Sequence, residues 1–321
     1  MGKKALILVP LTDEHKKSLE KAAPSVELIY RTPETATVEE FLSAEIVFGT
    51  PIIAAGARDI IKTSKSLEWI QLQGAGADLY LPLLPENTIV TTAAGSYGLA
   101  IAECAMGTLL SLSKHLYKQQ DAQRRKEWLR INDPAKPVYG STVLVVGMGD
   151  VGAELAKRLK AMGASVIGMK RTMAEKPDFL DELHTIEDLD EVLPRVDTVV
   201  LCLPNTSATD KIINAKTLKL MKKDAILINV GRGNSVNEDD LCDAMENGHL
   251  WGAGLDVFQT EPLPAQSRLW DIERVLMTFH SFGGFRIEET LNRMVRIFEN
   301  NLVSYIDTGK VVRAYDYVKG Y

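Results

Sequence analysis

The sequence has few of the features expected of a disulfide-stabilised or membrane-spanning protein. Its 321 residues include three cysteines, Cys104, Cys202 and Cys242, and none of them belongs to a C-x-x-C pair. Because their number is odd and their spacing irregular, we expect buried, unreactive thiols in a reducing cytoplasm rather than a disulfide framework. No apolar run is long enough to span a bilayer, so no membrane partner is expected.

Two further classes of protein lack support in the sequence. The net charge of −6 gives no electrostatic attraction to nucleic acid. The five histidines share no metal-ligand spacing, so no metal site is predicted, and no serine lies in a nucleophile elbow. The first apolar run follows a basic pair, but it is short and charged residues come directly after it. It therefore predicts a first β-strand rather than a signal peptide.

The first hundred residues alternate between strand and helix patterns. They predict strands over Lys4–Val9, Val26–Tyr30, Ile46–Phe48, Trp69–Leu72 and Thr88–Thr91, and helices over Asp13–Ala23, Val38–Ser43 and Ala54–Thr63. Repeated β-α units indicate a parallel sheet covered by helices on both faces. A long helix over Ser96–Leu116 and a charged helix over Lys118–Leu129 then lead out of this region.

A second α/β region follows, after which the chain can return to the first. Strands are predicted over Thr142–Val146, Ser165–Met169, Thr198–Leu203, Ala225–Val230, Leu255–Val257 and Val275–Thr278, and helices over Thr217–Met221, from the N-cap Asn237 to Asn247, and over Gly283–Ile306. We therefore predict an α/β protein of two doubly wound parallel-sheet domains. A Rossmann coenzyme domain (99–287) would be inserted into a flavodoxin-like substrate domain (1–98 and 288–321).

The feature that organises the chain is a glycine-rich turn between a strand and a helix. The β-branched run Thr142–Val146 meets glycines at G-x-G-x-x-G spacing, and a helical pattern follows. In such a turn Gly147 permits the tight bend, Gly149 lets a pyrophosphate approach the backbone, and Gly152 lets helix and strand pack closely. The N–H groups that begin the helix would face the phosphates. The segment therefore predicts dinucleotide binding.

The end of the next strand indicates which nicotinamide coenzyme is used. An NAD site places an acidic residue about twenty positions after the glycines, on the ribose 2′-hydroxyl. Here that position carries Lys170, followed by Arg171 and Thr172. Two cations and a hydroxyl suit a 2′-phosphate, so NADP(H) is predicted. A solvated basic turn that tolerates NAD(H) is the alternative.

Three polar residues that follow strands of the second region could together reduce a 2-oxo acid. Arg232 offers a permanent bidentate fork for a carboxylate. His280 can exchange a proton near neutral pH, and Glu261 could orient the imidazole and favour its protonated form. Each residue also has an ordinary structural interpretation, as a surface ion-pair partner, a structural histidine and a solvated carboxylate.

A loop of small residues in the first region could bind an anion. Gln73–Asp78 follows the predicted strand Trp69–Leu72, and ligands bind at the carboxyl ends of strands in open α/β sheets. Its small side chains would let backbone N–H groups approach the anion. A solvent-exposed turn is the alternative.

Several motifs, in the order found here, resemble those of the D-isomer-specific 2-hydroxyacid dehydrogenases. The matching segments are Val146–Gly152, Leu203–Thr206, Ile228–Gly233, Gly254–Pro264 and Thr278–His280, with a weaker likeness in Gln71–Asp78 and Gly95–Glu103. The basic end of the second strand and the segment Arg124–Trp128 look more like the glyoxylate/hydroxypyruvate reductase branch. The resemblance implies reduction of a small 2-oxo acid to the D-2-hydroxy acid by a cytoplasmic homodimer.

The resemblance also implies roles for particular residues. It makes Arg232, Glu261 and His280 the catalytic set, with Arg232 and His280 also contacting the substrate beside Gly74, Ala75 and Gly76. The coenzyme-binding residues would be Gly147, Met148, Gly149, Asp150, Val151, Gly152, Lys170, Arg171, Thr172, Leu203, Pro204, Val230, Gly231 and Asp256. Asp256 would contact the nicotinamide carboxamide.

The sequence departs from the family pattern close to the histidine. Phe279 stands where the family usually has proline, and Ser281–Gly284 replaces small apolar residues. In the first region Tyr97 lies in a loop where the family often has asparagine. Bulk from Tyr97, Phe282 and Phe285 would favour a larger or aromatic 2-oxo acid, with Tyr97 at the substrate.

Two other functions are consistent with the same fold. One is a coenzyme-sensing, corepressor-like binding module that has lost its chemistry. The presence of Arg232, Glu261 and His280 argues against that loss. The other is a dehydrogenase that acts on a different small anion, such as formate or phosphite.

Overall fold

The chain folds into two compact units. A computed structural model describes residues 2–50, 58–77, 79–284 and 287–317. The first unit comprises Met1–Tyr97 and Ile287–Tyr321, and the second comprises Gly98–Arg286. Each unit is built on one β-sheet.

Twelve strands and ten α-helices, with short 3-10 turns, form the regular structure of the described residues. The strands are β1 (Lys4–Ile7), β2 (Glu27–Tyr30), β3 (Ile46–Phe48), β4 (Trp69–Gln71), β5 (Ile89–Thr91), β6 (Thr142–Val146), β7 (Ser165–Lys170), β8 (Glu182–Thr185), β9 (Thr198–Leu201), β10 (Ile226–Asn229), β11 (Gly252–Leu255) and β12 (Val275–Met277). The helices are α1 (Asp13–Ala22), α2 (Val38–Ser43), α3 (Arg58–Ile61), α4 (Gly98–Ser113), α5 (Leu116–Arg124), α6 (Asp150–Ala161), α7 (Leu189–Val192), α8 (Ala215–Leu220), α9 (Glu238–Glu246) and α10 (Glu288–Thr308).

The first unit contains a five-stranded sheet in the order β2-β1-β3-β4-β5. Its neighbouring strands are all parallel, and this is the strand order of flavodoxin-like folds. The rings of Phe48 on β3 and Phe298 on α10 stack with centroids 4.1 Å apart, so α10 packs on the sheet. The predicted flavodoxin-like sheet is confirmed. The predicted helix Ala54–Thr63 lies partly outside the described residues, and its described part contains α3.

The second unit contains a seven-stranded sheet in the order β12-β11-β10-β9-β6-β7-β8. Its neighbouring strands are also parallel. Counted from β6, this is the Rossmann order 3-2-1-4-5-6 with one more strand at the edge, so that prediction is confirmed. The strand order reverses between β6 and β9, and such sheets bind ligands beside the carboxyl ends of the strands at that point.

One strand of this sheet was placed wrongly by the sequence pattern. The pattern predicts a strand over Leu255–Val257, whereas β11 ends at Leu255 and begins at Gly252. Glycine is rare in strands because it weakens them. Here, however, a β-carbon on Gly254 would lie 2.3 Å from Cγ2 of Thr108 on α4. Close packing of α4 on the sheet therefore requires glycine at this position. The sequence pattern of the strand does not indicate that contact.

The two helices before the glycine-rich turn are present, but both are shorter than the sequence predicts. The left-handed His115, with φ of 56°, separates α4 from α5, and α5 ends at Arg124 rather than at the predicted Leu129. The reason is a Schellman motif, in which left-handed Lys126 donates to Gln123 O and Glu127 donates to Ala122 O. The segment beyond it leaves Trp128 91% exposed.

Two smaller predictions also need correction. The helix predicted over Gly283–Ile306 begins only at Glu288, because Gly284 has a φ of 97°, which no α-helix accommodates. The edge strand β8 (Glu182–Thr185) was missed because its charged sequence has no strand pattern. No helix among the described residues is long and apolar enough to cross a membrane.

Candidate active site

The glycine-rich turn has the geometry that a pyrophosphate-binding turn needs. Gly147 has a φ of 102°, and a β-carbon there would lie 2.5 Å from the carbonyl oxygen of Cys202. A β-carbon on Gly152 would lie 2.0 Å from the carbonyl oxygen of Gly147, so only glycine lets α6 pack this closely. By contrast, a β-carbon on Gly149 would meet no described atom within 4 Å. The space beside Gly149 is where a ligand can approach the backbone.

The start of α6 fits a phosphate as well. Gly149 is the N-cap residue and, among the described residues, provides no side-chain cap, so the first N–H groups of α6 can donate to an anion. Asp150 follows, and its carboxylate accepts a hydrogen bond of 2.6 Å from the N–H of Gly98. The flanking predicted residues Met148 and Val151 are half-buried. These features fit the pyrophosphate of a dinucleotide coenzyme.

The basic residues predicted for the 2′-phosphate lie at the same edge of the sheet. The N–H of Gly147 donates to the carbonyl oxygen of Met169 at 2.9 Å, and Lys170 is the next residue and the last of β7. Lys170 is half-buried, whereas Arg171 and Thr172 are exposed. The structure therefore places this basic end beside the glycine-rich turn.

Three loops meet at the carboxyl ends of β9, β10 and β11. A β-carbon on Gly231 would lie 2.6 Å from the backbone nitrogen of Leu203. One on Gly233 would lie 1.9 Å from the carbonyl carbon of Phe258. Between these contacts lies Arg232, half-buried, whose Nη1 donates to Gly231 O at 2.8 Å. The predicted residues Pro204 and Val230 lie next to these contacts, half-buried and buried respectively.

The structure brings Glu261 and His280 into direct contact. Glu261 Oε2 lies 2.7 Å from His280 Nδ1, and Glu261 Oε1 accepts a 3.0 Å hydrogen bond from the N–H of Phe258. Both side chains remain accessible, with 36% of the Glu261 side chain and 52% of the His280 side chain exposed. Because Nδ1 faces the carboxylate, Nε2 is the ring nitrogen that can exchange a proton with a ligand.

The backbone that carries the histidine is strained. Phe279 and His280 have φ of 51° and 52°, and they are the only adjacent pair of left-handed non-glycine residues in the described chain. Such a conformation costs roughly 1–2 kcal/mol for each residue. Proline, which the family usually has at the first of these positions, is locked near a φ of about −65° and cannot adopt it.

Asp256 is buried and faces this strained turn. Its Oδ1 accepts hydrogen bonds from the Thr278 hydroxyl at 2.8 Å and from the Ser281 N–H at 3.0 Å. Its Oδ2 lies 3.4 Å from the N–H of Phe282. Its backbone carbonyl accepts from the N–H of His280 at 2.5 Å. The family resemblance implies a nicotinamide contact for Asp256, but the sequence gave no sign of these hydrogen bonds.

In the first unit, Tyr97 fastens the loop that was predicted to bind the substrate. Its hydroxyl donates to the carbonyl oxygen of Gln73 at 2.5 Å, and burial raises the pKa of Tyr97 to about 12. The N–H of Ala93 donates to Gly74 O at 2.9 Å and holds the other side of the loop. Ala75 is exposed and Gly76 half-buried. Asp78 and Phe285, which the sequence also singled out, lie outside the described residues.

Sequence reasoning missed other groups near Glu261 and His280. Glu238, at the start of α9, accepts a 2.6 Å hydrogen bond from the N–H of Gln259. Burial raises the pKa of Glu238, and the nearby carboxylates Asp239 and Glu261 add to that rise. Phe279 stacks on Trp270 at 5.6 Å between ring centroids. An acidic residue is common at the first position of a helix, so the sequence gave no sign that Glu238 lies near Glu261.

An apolar cavity opens beside Glu261 and His280. Its volume is about 450 Å³, and its lining is Phe258, Glu261, Pro262, Leu263, Trp270, Phe279 and His280. No group of His, Cys, Asp and Glu side chains that could hold a metal occurs in the part of the chain that the structure describes.

Comparison with known proteins identifies the class of the chain. A family model described as "D-isomer specific 2-hydroxyacid dehydrogenase, NAD binding domain" matches residues 106–281. The second unit is therefore the nicotinamide-coenzyme-binding domain of an oxidoreductase. The chain belongs to the D-isomer-specific 2-hydroxyacid dehydrogenase family.

Individual relatives differ in the substrate that their names give. Hydroxypyruvate reductase of Thermotoga maritima is 30% identical over 226 residues, which are 69% of this chain and 72% of that protein. D-3-phosphoglycerate dehydrogenase of Methanocaldococcus jannaschii is 29% identical over 282 residues, 86% of this chain. The chain spans only 53% of that longer relative.

A solved structure matches over the whole chain. It is the NADPH-dependent glyoxylate/hydroxypyruvate reductase of Sinorhizobium meliloti in complex with NADP and sulfate, at 27% identity and a TM-score of 0.78. The match covers 99% of this chain and 100% of that one. The fold class is thus that of the family throughout.

Proposed function

We propose that this protein is an NADP(H)-dependent reductase of small 2-oxo acids that produces D-2-hydroxy acids. The observation that carries the proposal is the 2.7 Å hydrogen bond between Glu261 Oε2 and His280 Nδ1. Glu261 follows β11 and His280 follows the edge strand β12 of a Rossmann sheet whose glycine-rich turn fits a pyrophosphate. A cytoplasmic homodimer is part of the proposal, and light scattering of the purified protein tests the dimer.

The chain's own residues then have distinct tasks. The bound coenzyme supplies the hydride that reaches C2 of the oxo acid. His280 donates a proton from Nε2 to the carbonyl oxygen and takes it back in the reverse reaction. Glu261 fixes the tautomer through Nδ1 and stabilises the imidazolium before transfer. Arg232 binds the substrate carboxylate, and the backbone N–H groups of Gly74–Gly76 in the first unit are proposed as an anion-binding loop.

The proposed preference for NADPH depends on the basic end of β7. A lysine, an arginine and a threonine at 170–172 suit a 2′-phosphate better than a 2′-hydroxyl. The specificity constants for NADPH and NADH test this preference. Lys170→Asp should move the preference toward NADH, and Lys219→Asp, the same charge change on an exposed residue of α8, should not. A tenfold preference of the wild-type protein for NADH would contradict the proposal.

The substrate is proposed to be a 2-oxo acid of the glyoxylate or hydroxypyruvate kind or larger. The names of relatives support the smaller acids, and the apolar cavity beside His280 is compatible with a larger one. A panel of glyoxylate, hydroxypyruvate and phenylpyruvate, followed by coenzyme absorbance, ranks these acids. Tight NADPH binding without turnover of any of them would instead favour the coenzyme-sensing module.

A further inference from the structure

Asp256 holds both flanks of the histidine. Its carboxylate accepts from Thr278 on one side of His280 and from Ser281 and Phe282 on the other. Its carbonyl oxygen accepts the N–H of His280 itself. The Ser281 hydroxyl closes the same turn by donating to Thr278 O. One residue of the loop after β11 thus fixes the turn after β12.

The turn needs such support because its conformation is unfavourable for these residues. Phe279 and His280 are bulky and left-handed in succession, and residues in this region stay there only where surrounding contacts over-determine them. Asp256 also depends on the donors of this turn, because it is only 4% exposed and a buried carboxylate requires hydrogen-bond donors. The left-handed turn and the buried carboxylate therefore stabilise each other.

We propose that Asp256 is a positioning residue that holds Phe279 and His280 in the left-handed turn, and so keeps the imidazole on Glu261. The assignment rests on the proposed function, in which His280 transfers the proton. It differs from the coenzyme contact that the sequence suggests for Asp256, because it acts through the histidine and is present without coenzyme.

The Asp256→Asn variant tests the assignment sharply. The amide group has a similar shape, but its NH2 must replace one carboxylate oxygen, and it would then face the N–H of Ser281 in place of Oδ1 or the N–H of Phe282 in place of Oδ2. We expect the turn to relax and kcat to fall about 100-fold, which is the typical effect of displacing a catalytic group by about 1 Å. The fall in kcat should persist at saturating NADPH, so that it does not depend on coenzyme affinity.

A spectroscopic readout separates positioning from coenzyme binding. The Nδ1–H signal of His280, recorded by NMR in histidine-labelled protein without coenzyme or substrate, should be lost in Asp256→Asn as it is in Glu261→Gln. Asp197→Asn is the matched control, because Asp197 also accepts a backbone N–H, from Thr142 at 2.8 Å, but lies at the amino end of β9. It should keep the signal.

The outcomes are distinct. An unchanged His280 signal in Asp256→Asn would overturn the assignment, and weakened NADPH binding beside it would favour the coenzyme contact. If that variant does not fold, Thr278→Val removes a single hydrogen-bond donor to Asp256 Oδ1 and is tested by the same NMR signal. A weaker His280 signal supports the assignment, and an unchanged signal overturns it. Failure of the wild-type protein to reduce any 2-oxo acid would refute the proposed function, yet the signal would still test the turn.

Discussion

Substitution of Gly149 by alanine should separate coenzyme binding from folding. A β-carbon at this position meets no described atom within 4 Å, and φ is −83°, which alanine tolerates. Replacing an N-cap glycine by alanine should cost about 1 kcal/mol of stability. The methyl group would occupy the space in which the pyrophosphate approaches the backbone. Loss of two hydrogen bonds to a charged group, each worth roughly 1.5–3 kcal/mol, weakens binding by roughly 10²–10⁴-fold.

Two other glycines of the same unit provide comparison variants for this prediction. Gly152→Ala should destabilise the protein itself, because its β-carbon would lie 2.0 Å from Gly147 O. Gly107→Ala, on an exposed position of α4 with no described atom within 4 Å of the added carbon, should leave NADPH affinity unchanged and stabilise the helix by up to about 1 kcal/mol. Calorimetric titration with NADPH and urea unfolding of all three variants provide the assay. Wild-type NADPH affinity in Gly149→Ala would refute the reasoning.

Three further outcomes are expected. Phe279→Pro should reduce turnover far more than Phe279→Gly, although proline is the usual family residue, because glycine adopts a φ of 51° without strain whereas proline cannot adopt it. Equal rates for the two variants would show that the left-handed turn is not required. Burial raises the pKa of Cys202 to about 12 and that of Cys242 to about 11, so mass spectrometry should find both thiols unmodified after iodoacetamide treatment of the folded protein at mildly alkaline pH; rapid alkylation of either would contradict this. Burial favours the neutral form of Asp197, but its hydrogen bonds, above all from Lys222, outweigh burial and lower its pKa below the ordinary 3.8. The stability that Asp197 contributes is therefore present at pH values above its ordinary pKa and is lost as the pH falls through its lower pKa in the folded protein. The free energies of unfolding of wild type and Asp197→Asn should differ at neutral pH and converge in acid. A difference that stays constant with pH would show that Asp197 does not link stability to pH.

The parts of the fold that the sequence predicts are those set by local chemistry. The strand Thr142–Val146 and the glycines after it form a turn whose requirements are local, and the same holds for the Asn237 cap, whose side chain accepts the N–H of Asp240. Repeated β-α units then lead to parallel sheets, because a right-handed crossover leaves few other arrangements. Glu261 and His280 could be paired in advance because both follow neighbouring strands.

The features that sequence reasoning missed depend on contacts between distant segments. The glycine strand β11 is required by Thr108 of α4, and nothing in its own residues predicts a strand. The left-handed turn at His280 depends on Asp256, more than twenty positions earlier in the chain. The end of α5 at Arg124 is different, because its Schellman motif is local, and the sequence does not indicate that Lys126 will be the left-handed residue. For β11 and the turn at His280, a distant partner decides between conformations that the local sequence leaves open.

Proton transfer by His280 during NADPH oxidation is tested most directly with wild-type protein and His280→Gln. NADPH consumption is measured on the best 2-oxo acid of the panel, and the product is resolved on a chiral column. We expect one D-2-hydroxy acid per NADPH from the wild type. The variant should bind NADPH normally but turn over about 10²–10⁴-fold more slowly, the usual contribution of a general acid. Undiminished turnover by the variant, or an L-2-hydroxy acid as product, would contradict the mechanism.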